Sequence, residues 1–207
     1  KFSYNFEYQF LNLKASGLEK VELKYLDKKL HKYYKTSIFL LPLKKISNEI
    51  KENNWIKNVK LSTNYKDTLF IDIDEYIPIG LYKFNKKIFY FDQSGKIIEE
   101  FFNDFDDKNN LIIFFGPSSN LNAKSILDIL EYLNFQKKFG IKSINYIEKR
   151  RWDLILNNNI RLMLSENDPK KSLKNFINIE KNLSEIDLNN IKYFDLRNKE
   201  KTLIYYN

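Results

Sequence analysis

The chain has 207 residues, of which 43% are hydrophobic and 16% aromatic, so it can bury the core of one large or two small domains and is not disordered. The formal net charge is +8, but 31 of the 35 basic residues are lysine and glycine is scarce, a bias typical of an AT-rich coding sequence. There is no cysteine and one histidine, His31, which excludes disulfides and argues against a zinc site or a Ser-His-Asp triad.

The first 77 residues predict a compact α+β unit. Alternating apolar residues predict a strand over residues 10–15, and helical spacing predicts helices over residues 21–34 and 43–53. Two further alternating runs, joined by a turn, predict strands over residues 55–61 and 69–74. The pattern stops at residues 75–78, where we place a domain boundary.

The remaining residues predict a second, strand-rich unit. Its predicted helices cover residues 121–138, closed by Gly140, and a segment that starts at Asp168 as N-cap. The acidic residues 101–110 are expected to form a loop. Short apolar or alternating runs predict strands over residues 80–84, 88–92, 96–98, 111–115, 141–147, 148–156, 160–164, 191–197 and 202–206.

The arginines are clustered in a chain that otherwise uses lysine. Arg150, Arg151 and Arg161 lie in a predicted hairpin with a turn at residues 157–159, and Arg197 ends a later strand. A guanidinium suits bidentate pairing with a carboxylate or with an anionic ligand. Because no other pocket chemistry accompanies them, we interpret the cluster as a structural brace of the sheet, formed by Arg150, Arg151 and Trp152 with Asp153 or Asp195 as carboxylate partner.

Other candidate chemistry is weak. The carboxylates of residues 72–75 alternate with isoleucines, as on the solvated face of a strand, and the acidic run at residues 104–107 lacks the glycine and glutamate of a calcium loop. With five glycines, a phosphate-binding loop is also not expected. No metal or other cofactor is predicted, and the sequence argues against an enzyme.

The C-terminal hairpin is the best candidate surface, since a terminal strand often lies at a sheet edge and can accept a partner strand. The alternative is that this strand only completes the sheet, with lysines protecting its edge. The candidate partner-binding residues are Arg197, Asn198, Glu200, Thr202, Leu203, Ile204, Tyr205 and Tyr206.

Several motifs together resemble the FtsQ/DivIB family of bacterial division proteins. The run Glu148-x-Arg150-Arg151-Trp152-Asp153-Leu154-x-Leu156 is similar to that family's ERRWDLxL hairpin. Tyr193-Phe194-Asp195-Leu196-Arg197 is similar to its YVDLR strand. Residues 55–80 resemble the signature of its POTRA domain. Asn198 stands where the family often has an aromatic residue, a departure that would remove a partner contact made by that side chain but not one made through the backbone.

The resemblance implies a juxtamembrane linker over residues 1–9, a POTRA domain over residues 10–77 with the order β-α-α-β-β, and a β domain over residues 78–207. The β domain would carry two or three helices on a mostly antiparallel sheet that ends in an edge strand. It further implies a scaffold without enzymatic activity that binds proteins of the FtsB and FtsL type. The chain would lie on the periplasmic side of the inner membrane, anchored by a single membrane helix that the chain itself does not contain.

The sequence leaves two other functions as alternatives to a division scaffold. A POTRA domain also occurs in components of outer-membrane protein assembly and secretion systems. The +8 charge would suit nucleic acid, although it is better explained by composition.

Overall fold

The structure is a computed structural model that describes residues 8–102, 111–184, 188, 190–198 and 200–206. The chain divides into two compact units, Lys1–Ile77 and Pro78–Asn207. Most of the expected linker, residues 1–7, and most of the expected acidic loop, residues 103–110, lie outside the described residues.

The first unit has the strand and helix order predicted for a POTRA domain. Two single-turn 3-10 helices, His31–Tyr33 and Ile38–Leu40, separate the two α-helices. The strands form one sheet in the order β1-β3-β2, with β3 parallel to β1 and antiparallel to β2. The elements are β1 (Asn12–Ser16), α1 (Leu23–Leu30), α2 (Leu43–Ile50), β2 (Ile56–Thr63) and β3 (Thr68–Glu75).

The core of this unit follows from the two periodicities of its sequence. Alternate residues of β3, including Leu69 and Ile71, are buried, as are Leu26 of α1 and Ile46 of α2. Gly17, after β1, has a φ of +75°, and a Cβ there would stand 1.9 Å from the carbonyl oxygen of Ile73. Only glycine fits this close approach of the backbone to β3.

The second unit contains one sheet of nine strands. The strand order is β12-β11-β10-β9-β8-β7-β4-β5-β6. Three neighbouring pairs are parallel, namely β4 with β7, β7 with β8, and β10 with β11, while the other pairs are antiparallel. The predicted mostly antiparallel sheet is therefore confirmed. The strands are β4 (Gly80–Phe84), β5 (Lys87–Phe91), β6 (Ile97–Glu100), β7 (Ile113–Phe115), β8 (Ile141–Ile147), β9 (Arg151–Leu156), β10 (Arg161–Leu164), β11 (Ile191–Leu196) and β12 (Leu203–Tyr206).

The helices of this unit whose bounds the described residues give are α3 (Ser119–Tyr132), α4 (Phe135–Phe139) and α5 (Pro169–Glu180). Helix α5 begins as predicted, because the Asp168 side chain accepts a hydrogen bond of 2.9 Å from the N–H of Lys171. Phe176 of this helix packs edge-on against Phe194 of β11, with ring centroids 5.1 Å apart. The helices thus contribute to a core that runs along the sheet from Phe114 to Phe194.

Two segments differ from the sequence prediction. The helix expected over residues 121–138 is two helices, because Asn134 between them has a φ of +50°. The strand expected from residue 148 begins at Arg151, because Glu148 and Lys149 have φ values of 51° and 55° and form the turn that follows β8. In both places a left-handed backbone, which no local residue pattern announces, ends the regular element.

Among the described helices, none combines the length and hydropathy needed to cross a membrane. The described residues also hold no group of three or more His, Asp or Glu side chains placed to bind a metal ion. His31 lies exposed in the first 3-10 helix. The acidic run at residues 104–107, considered above as a cation loop, falls outside the described residues.

Candidate partner-binding edge

Strand β12 lies at one edge of the nine-stranded sheet. Its single strand neighbour among the described residues is β11, with which it pairs antiparallel. In this register Leu203 lies opposite Asp195, Ile204 opposite Phe194, and Tyr205 opposite Tyr193. The far side of β12 therefore carries backbone donors and acceptors that no strand of the described chain pairs with.

The side chains of β12 divide between the two faces of the sheet. Ile204 packs against the core that the helices cover. Leu203 and Tyr205 point to the opposite face, where they are 50% and 43% exposed. Tyr205 stacks on Tyr193 with ring centroids 4.2 Å apart, and desolvation raises the pKa of the Tyr193 hydroxyl. The strand is thus held by its inner side chain while its outer side chains remain accessible.

The loop between β11 and β12 is fixed by its own side chains. Asp195 accepts hydrogen bonds from the backbone N–H of Arg197 at 3.1 Å and from its Nε at 2.8 Å. The bonds from the Arg197 guanidinium lower the pKa of the Asp195 carboxyl. Asn198 Oδ1 accepts from the N–H of Glu200 at 2.8 Å and of Lys201 at 3.3 Å. These local bonds set the position at which β12 begins.

A buried carboxylate lies in β9, the third strand from β12 in the sheet. The Asp153 side chain in β9 has no solvent-exposed surface and accepts hydrogen bonds from two guanidinium groups. Arg161 of β10 donates through Nε at 3.0 Å and through Nη2, and Arg151 donates through Nε at 3.4 Å. Asp153 and Asp195 lie at matching positions, since Met163 of β10 is the register partner of both. Charged side chains therefore connect β9 and β10 on the face that carries Leu203.

Trp152 and Arg150 have different surroundings from this cluster. Trp152 points to the helix-covered face, where it stacks on Tyr146 at 4.2 Å and meets Phe114 edge-on at 6.0 Å. Arg150 lies in the turn before β9 and pairs with Glu148 at 2.7 Å and with Glu166 at 3.2 Å. Its side chain is half exposed, and it does not contact Asp153, because the strand begins one residue later.

The structure thus brings together some of the predicted residues and separates others. Arg151 and Asp153 form an ion pair, whereas Asp195 pairs with Arg197 of its own loop. The main partner of Asp153 is Arg161, which the predicted brace omitted. A hairpin whose turn is at residues 157–159 sets Arg161 opposite Ile155 and diagonal to Asp153. The register of the predicted hairpin therefore indicates Arg161 as a partner of Asp153. The eight predicted partner-binding residues all lie between residues 197 and 206, in β12 and in the loop that precedes it.

Comparison with known proteins matches both units. The model of the POTRA domain, FtsQ-type, matches residues 12–76, and the model of the cell division protein FtsQ/DivIB, C-terminal, matches residues 81–197. The chain belongs to the FtsQ/DivIB family. The C-terminal match favours a cell division protein over a component of outer-membrane assembly, because it covers the unit that follows the POTRA domain.

Curated relatives of this FtsQ/DivIB chain carry the name cell division protein FtsQ. The protein of Rickettsia typhi is 30% identical over 194 residues, which cover 93% of the chain and 71% of the relative. The Rickettsia prowazekii protein is also 30% identical, over 93% of the chain and 70% of its own length. The Escherichia coli protein is 28% identical over 69% of the chain and 52% of its own length.

Proposed function

We propose that this chain is a scaffold of the division machinery, without enzymatic activity, that captures a partner protein by adding the partner's strand to β12. The observation that supports the proposal is the position of β12 at the sheet edge, with one strand neighbour in the described chain. Backbone hydrogen bonds of an added strand supply affinity without a dedicated pocket, and the side chains of alternate positions supply specificity. The exposed Leu203 and Tyr205 would provide these side-chain contacts.

The proposed partners are coiled-coil division proteins of the FtsB and FtsL type. The proposed location is the periplasmic side of the inner membrane, with a membrane helix N-terminal to the chain as anchor. Membership of the FtsQ/DivIB family supports both proposals. In this proposal the partner is bound mainly through backbone atoms of β12, so the Asn198 side chain need not contribute to the contact.

The test of strand addition is a proline in β12. Leu203→Pro removes a backbone N–H and fixes φ, so we expect it to abolish capture of the partner from a native membrane extract. Leu203→Thr keeps the backbone donor and a side chain suited to strands, and we expect it to retain most of the capture. Capture is measured by pull-down with the purified chain as bait, and folding by circular dichroism and thermal unfolding.

The matched control lies at the other edge of the same sheet. Ile97→Pro places proline at the start of β6, which ends the strand order opposite β12, and we expect it to leave capture unchanged. Equal loss from both proline variants would mean that general destabilisation is responsible. Capture that survives Leu203→Pro, in a chain whose C-terminal hairpin is broken, would show that the partner binds elsewhere.

A further inference from the structure

Exposed apolar side chains gather on one surface of the first unit. Tyr8, Phe39, Leu40 and Tyr65 are 42%, 60%, 80% and 68% exposed, and we call this group the aromatic patch. The rings of Tyr8 and Phe39 are 5.6 Å apart, and those of Phe39 and Tyr65 are 6.1 Å apart and stacked. Three separate segments thus contribute to one contiguous apolar surface, which is the kind of surface that marks an interaction site.

The aromatic patch is held in place by the surrounding backbone. The side-chain oxygen of Asn64 accepts hydrogen bonds of 2.9 Å from the N–H groups of Lys66, Asp67 and Thr68. Tyr65 is carried at the tip of this turn with a φ of +56°, an uncommon backbone conformation for an aromatic residue. The turn presents Tyr65 outward, where its ring meets Phe39 rather than a core.

Backbone hydrogen bonds join the segment that follows Tyr8 both to this turn and to the segment that carries Phe39. The N–H groups of Leu11 and Asn12 donate to the carbonyl oxygen of Asp67 at 2.8 Å and 3.0 Å. Gln9, next to Tyr8, forms an antiparallel bridge with Ser37, which immediately precedes the 3-10 helix that carries Phe39. Backbone hydrogen bonds and the Gln9–Ser37 bridge therefore connect the three parts of the aromatic patch.

The charge beside the aromatic patch is positive. The exposed Lys35 and Lys44 come before and after the Ile38–Leu40 helix in the sequence, and the exposed Lys66 follows Tyr65. The turn also carries one carboxylate, Asp67, whose negative charge is stabilised by hydrogen bonds from Asn12, Asn64 and Thr68, so the three lysines outnumber it. An apolar surface flanked by lysines is complementary to an anionic surface that has an apolar layer beneath it.

We propose that the aromatic patch docks the first unit onto the head-group region of an anionic phospholipid membrane. Phe39 and Leu40 would enter the interface between head groups and acyl chains, Tyr8 and Tyr65 would lie at head-group level, and the lysines would contact phosphates. The inference rests on the membrane location proposed above. It differs from partner capture because it involves the first unit and lipid, whereas capture involves β12 and protein.

The test is flotation of the chain with vesicles made of equal parts phosphatidylglycerol and phosphatidylethanolamine, compared with vesicles of phosphatidylcholine alone. We expect binding to the anionic vesicles and a loss of about tenfold or more in the double variant Phe39→Ser, Leu40→Ser, because two exposed side chains lose their insertion. The matched control is Leu121→Ser, Tyr132→Ser on α3, where the two side chains are 62% and 66% exposed, and it should bind like the parent chain.

A charge series separates the lysines beside the aromatic patch from the general basic composition. Lys44→Glu with Lys66→Glu should weaken binding more than Lys174→Glu with Lys181→Glu, which makes the same change of net charge in the second unit. Equal weakening by both pairs would overturn the proposal, because it would reduce lipid binding to the overall charge of the chain.

Three other results would also overturn the proposal. They are absence of binding to the anionic vesicles, undiminished binding by Phe39→Ser, Leu40→Ser, and self-association that this variant abolishes, which would assign the aromatic patch to a second copy of the chain. Partner capture through β12 is measured on the same variant and should be intact. If the chain captures the partner but does not bind vesicles, the lipid proposal alone is wrong. If the chain binds vesicles but does not capture the partner, the scaffold proposal alone is wrong.

Discussion

At the scale of single residues, the charged cluster on β9 and β10 is organised around one buried carboxylate. Asp153 lies between Arg151 and Arg161, and both guanidinium groups donate hydrogen bonds to it. The sequence did not show that Arg150 is excluded, because its exclusion depends on the left-handed turn at Glu148 and Lys149. Charged residues adjacent in sequence can thus differ in burial according to where the strand begins.

The energetic consequence is that Asp153 and Arg150 should differ in their contribution to stability. Asp153→Asn leaves two guanidinium groups without their buried carboxylate, so we expect it to lower the free energy of unfolding by about 3 kcal/mol. Arg150→Ala removes only solvent-screened ion pairs at the surface and should cost far less than Asp153→Asn. Urea unfolding followed by the fluorescence of Trp152 in a Trp55→Phe background measures both. If the two variants lost similar stability, Asp153 would not act as a brace.

At the scale of elements, the chain's periodicities predicted most strands and helices, and the errors occur where the backbone turns left-handed. The stripe of apolar residues over residues 121–138 runs through Asn134 without a glycine or proline to mark the end of α3. Phe135 after the break is fully buried and packs on Phe139 and Phe176 with centroid distances of 4.6 Å and 5.9 Å. Tertiary packing of α4 therefore determines a break that local propensity does not show.

Asn134 offers a test in which the sign of the effect is decisive. In a continuous helix, Asn134→Ala would stabilise, since alanine is the better helix former. With φ at +50°, the same substitution should instead lower the free energy of unfolding by about 1 kcal/mol, whereas Asn134→Gly should be neutral or slightly stabilising. Thermal or urea unfolding distinguishes the two cases. Stabilisation by alanine would contradict the separation of α3 and α4.

At the scale of the whole molecule, the family and the fold class could be predicted from the sequence, while the order of the strands could not. Family motifs in the right order indicated a POTRA domain followed by the FtsQ/DivIB C-terminal domain, as the two matched models show. The strand order places β7 between β4 and β8, and β11 beside β10, through parallel pairings. Parallel pairing joins segments that are distant in sequence, so no local pattern encodes it.

The edge position of β12 results from that strand order, and strand addition depends on this edge position. Hydrogen exchange, measured on the chain alone and with a captured partner, detects strand addition at the level of single amides. We expect the backbone amides of residues 203–206 to gain protection when the partner binds, because strand addition gives new acceptors to the N–H groups that point away from β11. Residues 97–100, in the strand at the opposite edge, should exchange as before. Partner binding that leaves the exchange of residues 203–206 unchanged would contradict strand addition at β12.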